Sequence, residues 1–595
     1  MNSMKTSPVA LWLRWCLVAV GLTSRLAWAQ SDLAVYTDHL VNGFQDWSWA
    51  TRALDNTSPV HSGSKSIRVN AAVGQGIYFH QANFSAALYS NVVFWAHGGP
   101  NGGQKLTLSA VAGGQTLAGY ALSPLTANAW KSYTIPLSTL HAAQVTNLNG
   151  WILQLQGGGG SGVFYLDDFS LTARPAPALV HVTVDATHPL RTVDRRWTGV
   201  NVAVWDGNLA SAATLNLVKG LGTTLFRFPG GSLSDEYHWA SNRSLSNTWQ
   251  WNTSFHQFAP MAKAAGADVI ITVNYGTGTP AEAAAWVRDS NVTNHYGFRY
   301  WEIGNENYGS WETDTNNQPH EPYTYATRAA LYYQQMKAAD PTIKVGVVVV
   351  DGENNYSNGY TNHTVTNLRT GRRVNGWTPI VLTRLKALGI VPDFLVYHYY
   401  PEYTGQESDP LLLQTSTWWA SAAADIRQQI KDYYGAGGDA IELLATENNS
   451  NAGLQGRQST SLVNGLYLAD SLGQLMKTEF NSFVWWDLRN GSDTTGSFDS
   501  TLYGWRTVGD LGLLDAKTNG YPTYYAFKLM HQFLSKGGTV LSAATDDLGL
   551  ATYALRDGNG GLQLLAINKN PKLTTSASIS ITGFTPLTNA MRSEE

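Results

Sequence analysis

The chain has 595 residues, too many for one ordinary domain, and only 14% are charged, against roughly 25% in an average soluble protein. Its net charge is −4 and no Lys/Arg run stands out, so a nucleic-acid partner is not expected, because phosphate binding needs a clustered basic face. With 22 Trp and 29 Tyr, the composition suits either a large aromatic core or ring surfaces that stack on sugars.

Residues 1–29 carry the marks of an export signal. Lys5 and Arg14 precede the short apolar run "CLVAVGL" (16–22), and Ala27 and Ala29 give a small-x-small cleavage pattern before Gln30. That run is too short to span a bilayer, no later apolar stretch reaches about 18 residues, and no membrane partner is expected. Cys16, the single cysteine, lies inside this segment. A processed chain would therefore have no thiol for disulfides, nucleophilic catalysis or zinc-cysteine sites. The expected location is extracellular or periplasmic.

Residues 31–173 read as all-β. Alternating runs such as "SIRVNA", "NVVFWAH", "KLTLSAV", "KSYTIPL" and "GVFYLDDFSLTA" are separated by Gly/Asn/Ser turns, which predicts an antiparallel sandwich. Asp38 and Asp168, near its two ends, are candidate oxygen ligands for a structural calcium; the alternative is that they cap turns. A short Pro/Ala-rich linker, 174–180, follows.

From 181 to 537 the rhythm changes to α/β. Eight apolar β runs, from "WTGVNVAVW" through "TTLFRFPGG", "DVIITVNYG", "YWEIGNE", "KVGVVVV", "DFLVYHYYP" and "IELLATENN" to "SFVWWDL", alternate with helical segments such as "TPAEAAAWVRDS" and "YATRAALYYQQMKAAD". That count predicts a (β/α)8 TIM barrel, with "YPTYYAFKLMHQFLSKG" as its last helix. Residues 538–595 return to strand rhythm as a small C-terminal β domain. The chain ends abruptly at "MRSEE", short of the strands such a domain is expected to carry.

In such a barrel the catalytic groups come from the C-terminal ends of different strands. Those positions hold Arg227 on strand 2, Asn274 on strand 3, Asn305 and Glu306 on strand 4, His398 and Tyr400 on strand 6, Glu447 on strand 7, and Trp486 and Asp487 on strand 8. Two carboxyl groups across one mouth are what glycoside cleavage needs. Glu306 could otherwise be a helix N-terminal carboxylate. Glu442 competes with Glu447, but it lies near the beginning of its strand. His398 could be a core histidine; no second ligand at metal spacing accompanies it. Glu302 falls deeper in the pleat than Gly304, where it would pair with an arginine inside the barrel.

The stretch "YWEIGNENYGSWE", preceded by "ITVNYGTGTPAEAAAWV" and "FRFPGGS", resembles the clan A retaining glycosidases, and most nearly glycoside hydrolase family 51, over roughly residues 195–530. Family 51 holds mostly α-L-arabinofuranosidases and some endoglucanases. The resemblance implies Glu306 as acid/base, Glu447 as nucleophile, and a His-x-Tyr pair, His398 and Tyr400, whose tyrosine hydrogen-bonds the nucleophile. Two positions depart from the family pattern: Ser232 replaces Asn after Gly-Gly, and "TENN" replaces Asp-Glu-Trp around the nucleophile. Both bear on the sugar pocket. The N-terminal sandwich resembles carbohydrate-binding modules of β-jelly-roll type through "GFQDWSW" and "YLDDFSL".

The expected activity is retaining hydrolysis of plant-type polysaccharide with no catalytic cofactor. The carboxyl groups are expected about 5 to 5.5 Å apart. Burial among Trp301, Trp311 and Tyr308 is expected to raise the pKa of Glu306, while Tyr400 and Arg227 hydrogen-bond Glu447. An α-L-arabinofuranosidase, an endo-β-1,4-glucanase and a non-catalytic polysaccharide-binding protein are the three readings. Oligomeric state and linkage preference lie beyond the sequence.

Overall fold

The computed structural model describes residues 13–18, 32–157, 162–175, 177, 179–245, 248–453, 456–493, 508–570, 574–585 and 590–593. The segment read as an export signal lies outside these residues, apart from 13–18.

Residues 33–173 form two six-stranded sheets that share one core. One sheet has Lys105–Ala112, Leu148–Gly157 and Gly76–Phe84 at its centre; the other has Tyr89–His97 and Val163–Ala173. Alternation along these strands buries Ile77, Phe79, Phe94, Trp151, Leu153 and Phe164 between the sheets, as a half-buried antiparallel pattern requires.

Eight parallel strands then close into a barrel in chain order: β1 (Gly199–Asn201), β2 (Leu225–Phe228), β3 (Asp268–Val273), β4 (Tyr300–Ile303), β5 (Lys344–Val348), β6 (Phe394–Tyr399), β7 (Glu442–Asn448) and β8 (Phe480–Trp485). The first seven fall within the predicted runs, and β8 begins two residues before "SFVWWDL". They are buried on both faces, so they read as near-continuous apolar runs. Helices between them start on side-chain caps, such as Ser211 before Ala212–Leu221 and Thr279 before Pro280–Val287.

The sheet that closes the chain contains a strand placed elsewhere by the sequence pattern. Val180–Thr192 pairs antiparallel with Thr539–Thr545 and parallel with Ala577–Thr582. The expected barrel domain, 181–537, therefore gives its first strand to the C-terminal sheet, and the barrel chain begins after Thr192. The run "ALVHVTVDATHPL" has strand rhythm but nothing local that names its neighbour. The same seven-stranded sheet includes Leu13–Val18, parallel to Leu562–Asn568 and Ala590–Ser593.

The sandwich rests on the segment after β6, which includes the short helix Asp409–Thr415. Leu411 joins the sandwich core, Ser408 Oγ donates to Asn42 Oδ1 at 3.0 Å, and Ser85 N donates to Gln414 Oε1 at 3.2 Å. Among the described residues no helix is long and apolar enough to cross a membrane.

Candidate active site

The mouth of the barrel is organised around Arg227 at the end of β2. Its side chain is 1% exposed. Nε donates to Glu302, Nη1 to Glu447 Oε1 at 2.6 Å and to Asn201 Oδ1 at 3.0 Å, and Nη2 to Asn305 Oδ1 at 2.7 Å. One rigid guanidinium thus links the ends of β1, β4 and β7. Its fixed fork can satisfy several acceptors at once where a lysine would reach one. Glu302 sits on the inward face of β4, as its register implies, and also accepts from Thr272 Oγ1 at 2.7 Å.

Glu447 is 5% exposed. Beyond Arg227 it accepts from Tyr400 OH at 2.5 Å. Its orientation comes from an irregularity in pairing: Tyr397 lies opposite Ala445, but His398 lies opposite Glu447. Thr446 is the extra residue of that bulge, and a bulge re-aims the side chain that follows it. The freed groups of Thr446 are both used. Its carbonyl accepts from Asn201 Nδ2 at 2.9 Å, and its hydroxyl lies 3.0 Å from His398 Nε2.

Glu306 follows β4 in a turn. Its φ of 41° lies in the left-handed region, which a non-glycine residue enters only when its surroundings hold it there. The holding contacts run through Asp235, buried beyond the Gly-Gly of β2. Asp235 Oδ2 accepts from Asn305 N at 3.1 Å and Asn307 Nδ2 at 2.9 Å, and Oδ1 accepts from Tyr275 N and Gly276 N, both at 3.2 Å. Behind Asn305, Glu312 Oε1 accepts from Asn305 Nδ2 at 3.0 Å and Ser232 Oγ at 2.8 Å. Burial, with the charges of Asp235 and Glu306, pushes the Glu312 carboxyl well above the usual range.

The carboxyl of Glu306 accepts from Tyr308 OH at 3.1 Å and Trp311 Nε1 at 2.8 Å, and lies 2.9 Å from His398 Nδ1. Here the structure corrects the sequence reading. Burial does work to raise Glu306, but the hydrogen bond and charge of His398, then Trp311 and Tyr308, outweigh it, and the pKa is lowered. Trp311 and Tyr308 act as donors, which favour the charged form. Trp301 is not a neighbour. It faces outward, donates to Phe298 O at 2.9 Å and packs edge-on against Trp286.

One further candidate has a different place from that expected. Asn274 does not present its amide to the mouth; it folds its own turn, accepting from Thr277 N and Gly278 N at 2.9 Å each and donating to Thr277 Oγ1 at 2.9 Å. Trp486 does line the mouth. It faces Trp205 with ring centroids 6.3 Å apart, and a Cβ at Gly231 would come within 2.5 Å of its ring, so the second glycine of "PGG" makes room for the indole. Asp487 is buried, and burial and neighbouring acids hold its carboxyl well above the usual range.

Asp38 and Asp168 both serve the loop 61–65. Asp38 Oδ1 accepts from Ser64 N and Lys65 N at 2.7 and 2.8 Å, and Asp168 accepts from Ser62 Oγ at 2.7 Å and pairs with His61 at 2.6 Å. These are the contacts of the turn-capping alternative. One carboxyl oxygen each of Glu306 and Glu447 and one ring nitrogen of His398 lie within 4.8 Å of one another, the only group of this kind among the described residues. The guanidinium against Glu447 and the donors around Glu306 disfavour a cation at this group.

Sequence reasoning missed Asn201, Asp235, Thr446 and Glu312. The strand-end rule applied to β1 would have found Asn201. Asp235 carries no local signal, since it acts from a short 3-10 turn on residues 40 to 72 positions away.

Fold and site together define a (β/α)8 barrel flanked by β domains, with two glutamates facing one another across its mouth. No family profile matches the chain. In sequence it is similar to alpha-L-arabinofuranosidase C of Emericella nidulans, 28% identical over 158 residues, covering 22% of this chain and 31% of that protein. It is also similar to the intracellular exo-alpha-L-arabinofuranosidase of Bacteroides ovatus, 24% identical over 276 residues, covering 42% and 46%. The chain thus spans less than half the length of these relatives. Its fold is similar to that of the alpha-L-arabinofuranosidase from Thermotoga maritima in its arabinose complex, with a TM-score of 0.52 and 19% identity over 68% of this chain and 88% of that one. A Paenibacillus polymyxa xyloglucanase from glycoside hydrolase family 44 gives a TM-score of 0.50 at 14% identity, over 69% and 91%.

Proposed function

We propose that this chain is an exported retaining glycoside hydrolase of plant cell-wall polysaccharide, acting first on α-L-arabinofuranosyl side chains. The observation that carries the reading is the approach of Glu306 and Glu447 across one mouth, with oxygens within 4.8 Å. Retaining sites hold their carboxyl groups about 5 to 5.5 Å apart, whereas inverting sites need about 6.5–9.5 Å to admit a water. Glu447, held by Arg227 and Tyr400, attacks the anomeric carbon. As that carbon–oxygen bond forms, the glycosidic bond breaks and Glu306 gives its proton to the leaving oxygen. Glu306 then takes a proton from water, which releases the sugar from Glu447. The carboxylate form of Glu306 favoured by His398, Trp311 and Tyr308 is the form this second half uses.

The arabinofuranoside preference follows the names of the relatives and of the Thermotoga maritima neighbour. An endo-acting β-1,4-glucanase is the second reading. It is favoured by the exposed ring of Trp311 beside Tyr356, next to Glu306, where a leaving chain would lie. Hydrolysis of an aryl α-L-arabinofuranoside against that of carboxymethyl cellulose separates the two; activity on neither overturns the glycosidase reading. Export rests on residues 1–29. A secreted protein whose sequence begins at Gln30 supports it, and would lack the strand Leu13–Val18.

A further inference from the structure

The segments that follow β6 and β7 run side by side beyond the mouth. Glu402–Tyr403 pairs parallel with Asn451–Ala452, and Glu402 N donates to Ser450 O at 3.1 Å. Glu402 lies two residues past Tyr400, which holds Glu447, and it is 7% exposed. Its Oε1 accepts from Ser408 N at 2.9 Å. Its Oε2 is buried and meets no donor. A second buried oxygen beside it is in the same state. Gln458 is fully buried; its Nε2 donates to Asp409 Oδ1 at 3.2 Å, the amide also faces Glu402, and its Oε1 meets no donor. Glu407 enters from the same turn, with Oε1 accepting from Asn451 Nδ2 at 3.1 Å. A buried oxygen left without a donor is costly, and a charged one more so, and the reading of Glu306 and Glu447 makes no use of either.

We infer that Glu402, Asp409 and the amide oxygen of Gln458 bind one Ca2+ that ties the segment after β6 to the segment after β7. The chemistry selects the ion. All three ligands are oxygens and two of them are carboxylates, which suits a hard divalent cation; neither a thiol nor an imidazole is among them. Water at the half-buried Asp409 and Glu407 completes the roughly six to eight oxygens that calcium takes. Protonation of Glu402 would also satisfy Oε2, but it neutralises one carboxyl where three converge. Burial, then the charges of Asp409 and Glu407, hold the Glu402 carboxyl well above the usual range, and a divalent cation relieves that repulsion. The same carboxyl reaches the sandwich, since Ser408 bonds Glu402 through its N–H and Asn42 through its hydroxyl. The ion thereby steadies the strand end that carries Tyr400.

The kinetic half of the test rests on the glycosidase reading; the binding half does not. The full chain is treated with chelator, then titrated with Ca2+ by calorimetry and by thermal melts. The expected result is one bound Ca2+ per chain and a melting point raised by about 3 °C or more at saturation. Glu402→Gln is expected to lose both responses, and the milder Asp409→Asn to bind about tenfold more weakly or worse. Asp38→Asn/Asp168→Asn, in the sandwich, is expected to keep both. No Ca2+ response in the wild type, or a full response in Glu402→Gln, overturns the proposal. So does a response lost only in the sandwich variant. In kinetics, chelation is expected to lower kcat/KM on an aryl glycoside about tenfold, with recovery on adding Ca2+. A kcat/KM that ignores the ion overturns its support of Tyr400. Ca2+ binding as expected with no aryl-glycoside activity upholds the site and overturns the glycosidase reading instead.

Discussion

Nδ1 of His398 lies 2.9 Å from Oε1 of Glu306. The same nitrogen is 3.7 Å from Glu447 Oε2, so one imidazole stands between the two carboxyl groups. The other ring nitrogen, Nε2, lies 3.0 Å from the Thr446 hydroxyl, so both nitrogens of the ring are engaged. The pH behaviour of the acid/base residue therefore depends on its partner across the mouth.

His398→Gln is expected to move the alkaline limb of the kcat/KM profile to higher pH. Burial raises the Glu306 carboxyl, and His398 is the strongest of the groups that lower it. Without His398 the carboxyl titrates higher, so its acid form persists to higher pH. A profile on an aryl glycoside reads the shift. An unmoved or lowered alkaline limb contradicts the assignment of Glu306 as the acid.

Glu306→Gln and Glu447→Gln are each expected to remove turnover with little loss of folding. Loss of a general acid costs about 10² to 10⁴ in rate, and loss of the nucleophile at least as much. Azide is expected to rescue Glu306→Ala and Glu447→Gly, giving glycosyl azides of opposite anomeric form. A Gln variant that keeps near wild-type rate refutes its assignment.

Arg227→Met is expected to cost about 3–5 kcal/mol of stability, because it leaves buried carboxylates without their cation. Pairing it with Glu302→Gln, which removes one of those charges, is expected to recover part of the loss. Urea midpoints of the three proteins measure this. No recovery in the double variant indicates that the guanidinium acts by packing.

Asp235→Asn is expected to lower both stability and kcat. Asp235 meets only N–H donors, so an amide there faces at least one of them with a donor of its own. The cost is about 1–3 kcal/mol, and the turn carrying Glu306 loses its support. Thermal melts and aryl-glycoside kinetics check the two effects; an unchanged kcat separates Asp235 from the positioning of Glu306.

The first sugar released is expected to keep the substrate's anomeric configuration. Spaced like a retaining pair, the two carboxyl groups leave no room for a water between Glu447 and the sugar, so Glu447 bonds the carbon before water enters. Proton NMR, read before mutarotation, decides. An inverted first product removes Glu447 as nucleophile and returns attention to pairs such as Glu306 with Asp487.

Much of this molecule was legible in one dimension. Strands buried on both faces are apolar over most of their length, so "LFRF" and "YWEI" announce barrel strands, and a polar residue ending such a run stands at the mouth. Glu306, Glu447, Arg227 and the His398–Tyr400 pair were found that way, and Glu302 was placed inside by the period of its strand. What closure of the barrel alone decided is who meets whom. His398 reaches Glu306 from 92 residues away, and Arg227 reaches Glu447 across 220. The extra residue at Thr446 shows only in the pairing of two strands. The same holds for Val180–Thr192, whose pattern says strand but whose partners begin at Thr539. The sign of the Glu306 shift follows this logic. Burial is a local tendency that apolar neighbours in sequence foretell, whereas the donors that overturn it include one supplied by a different strand.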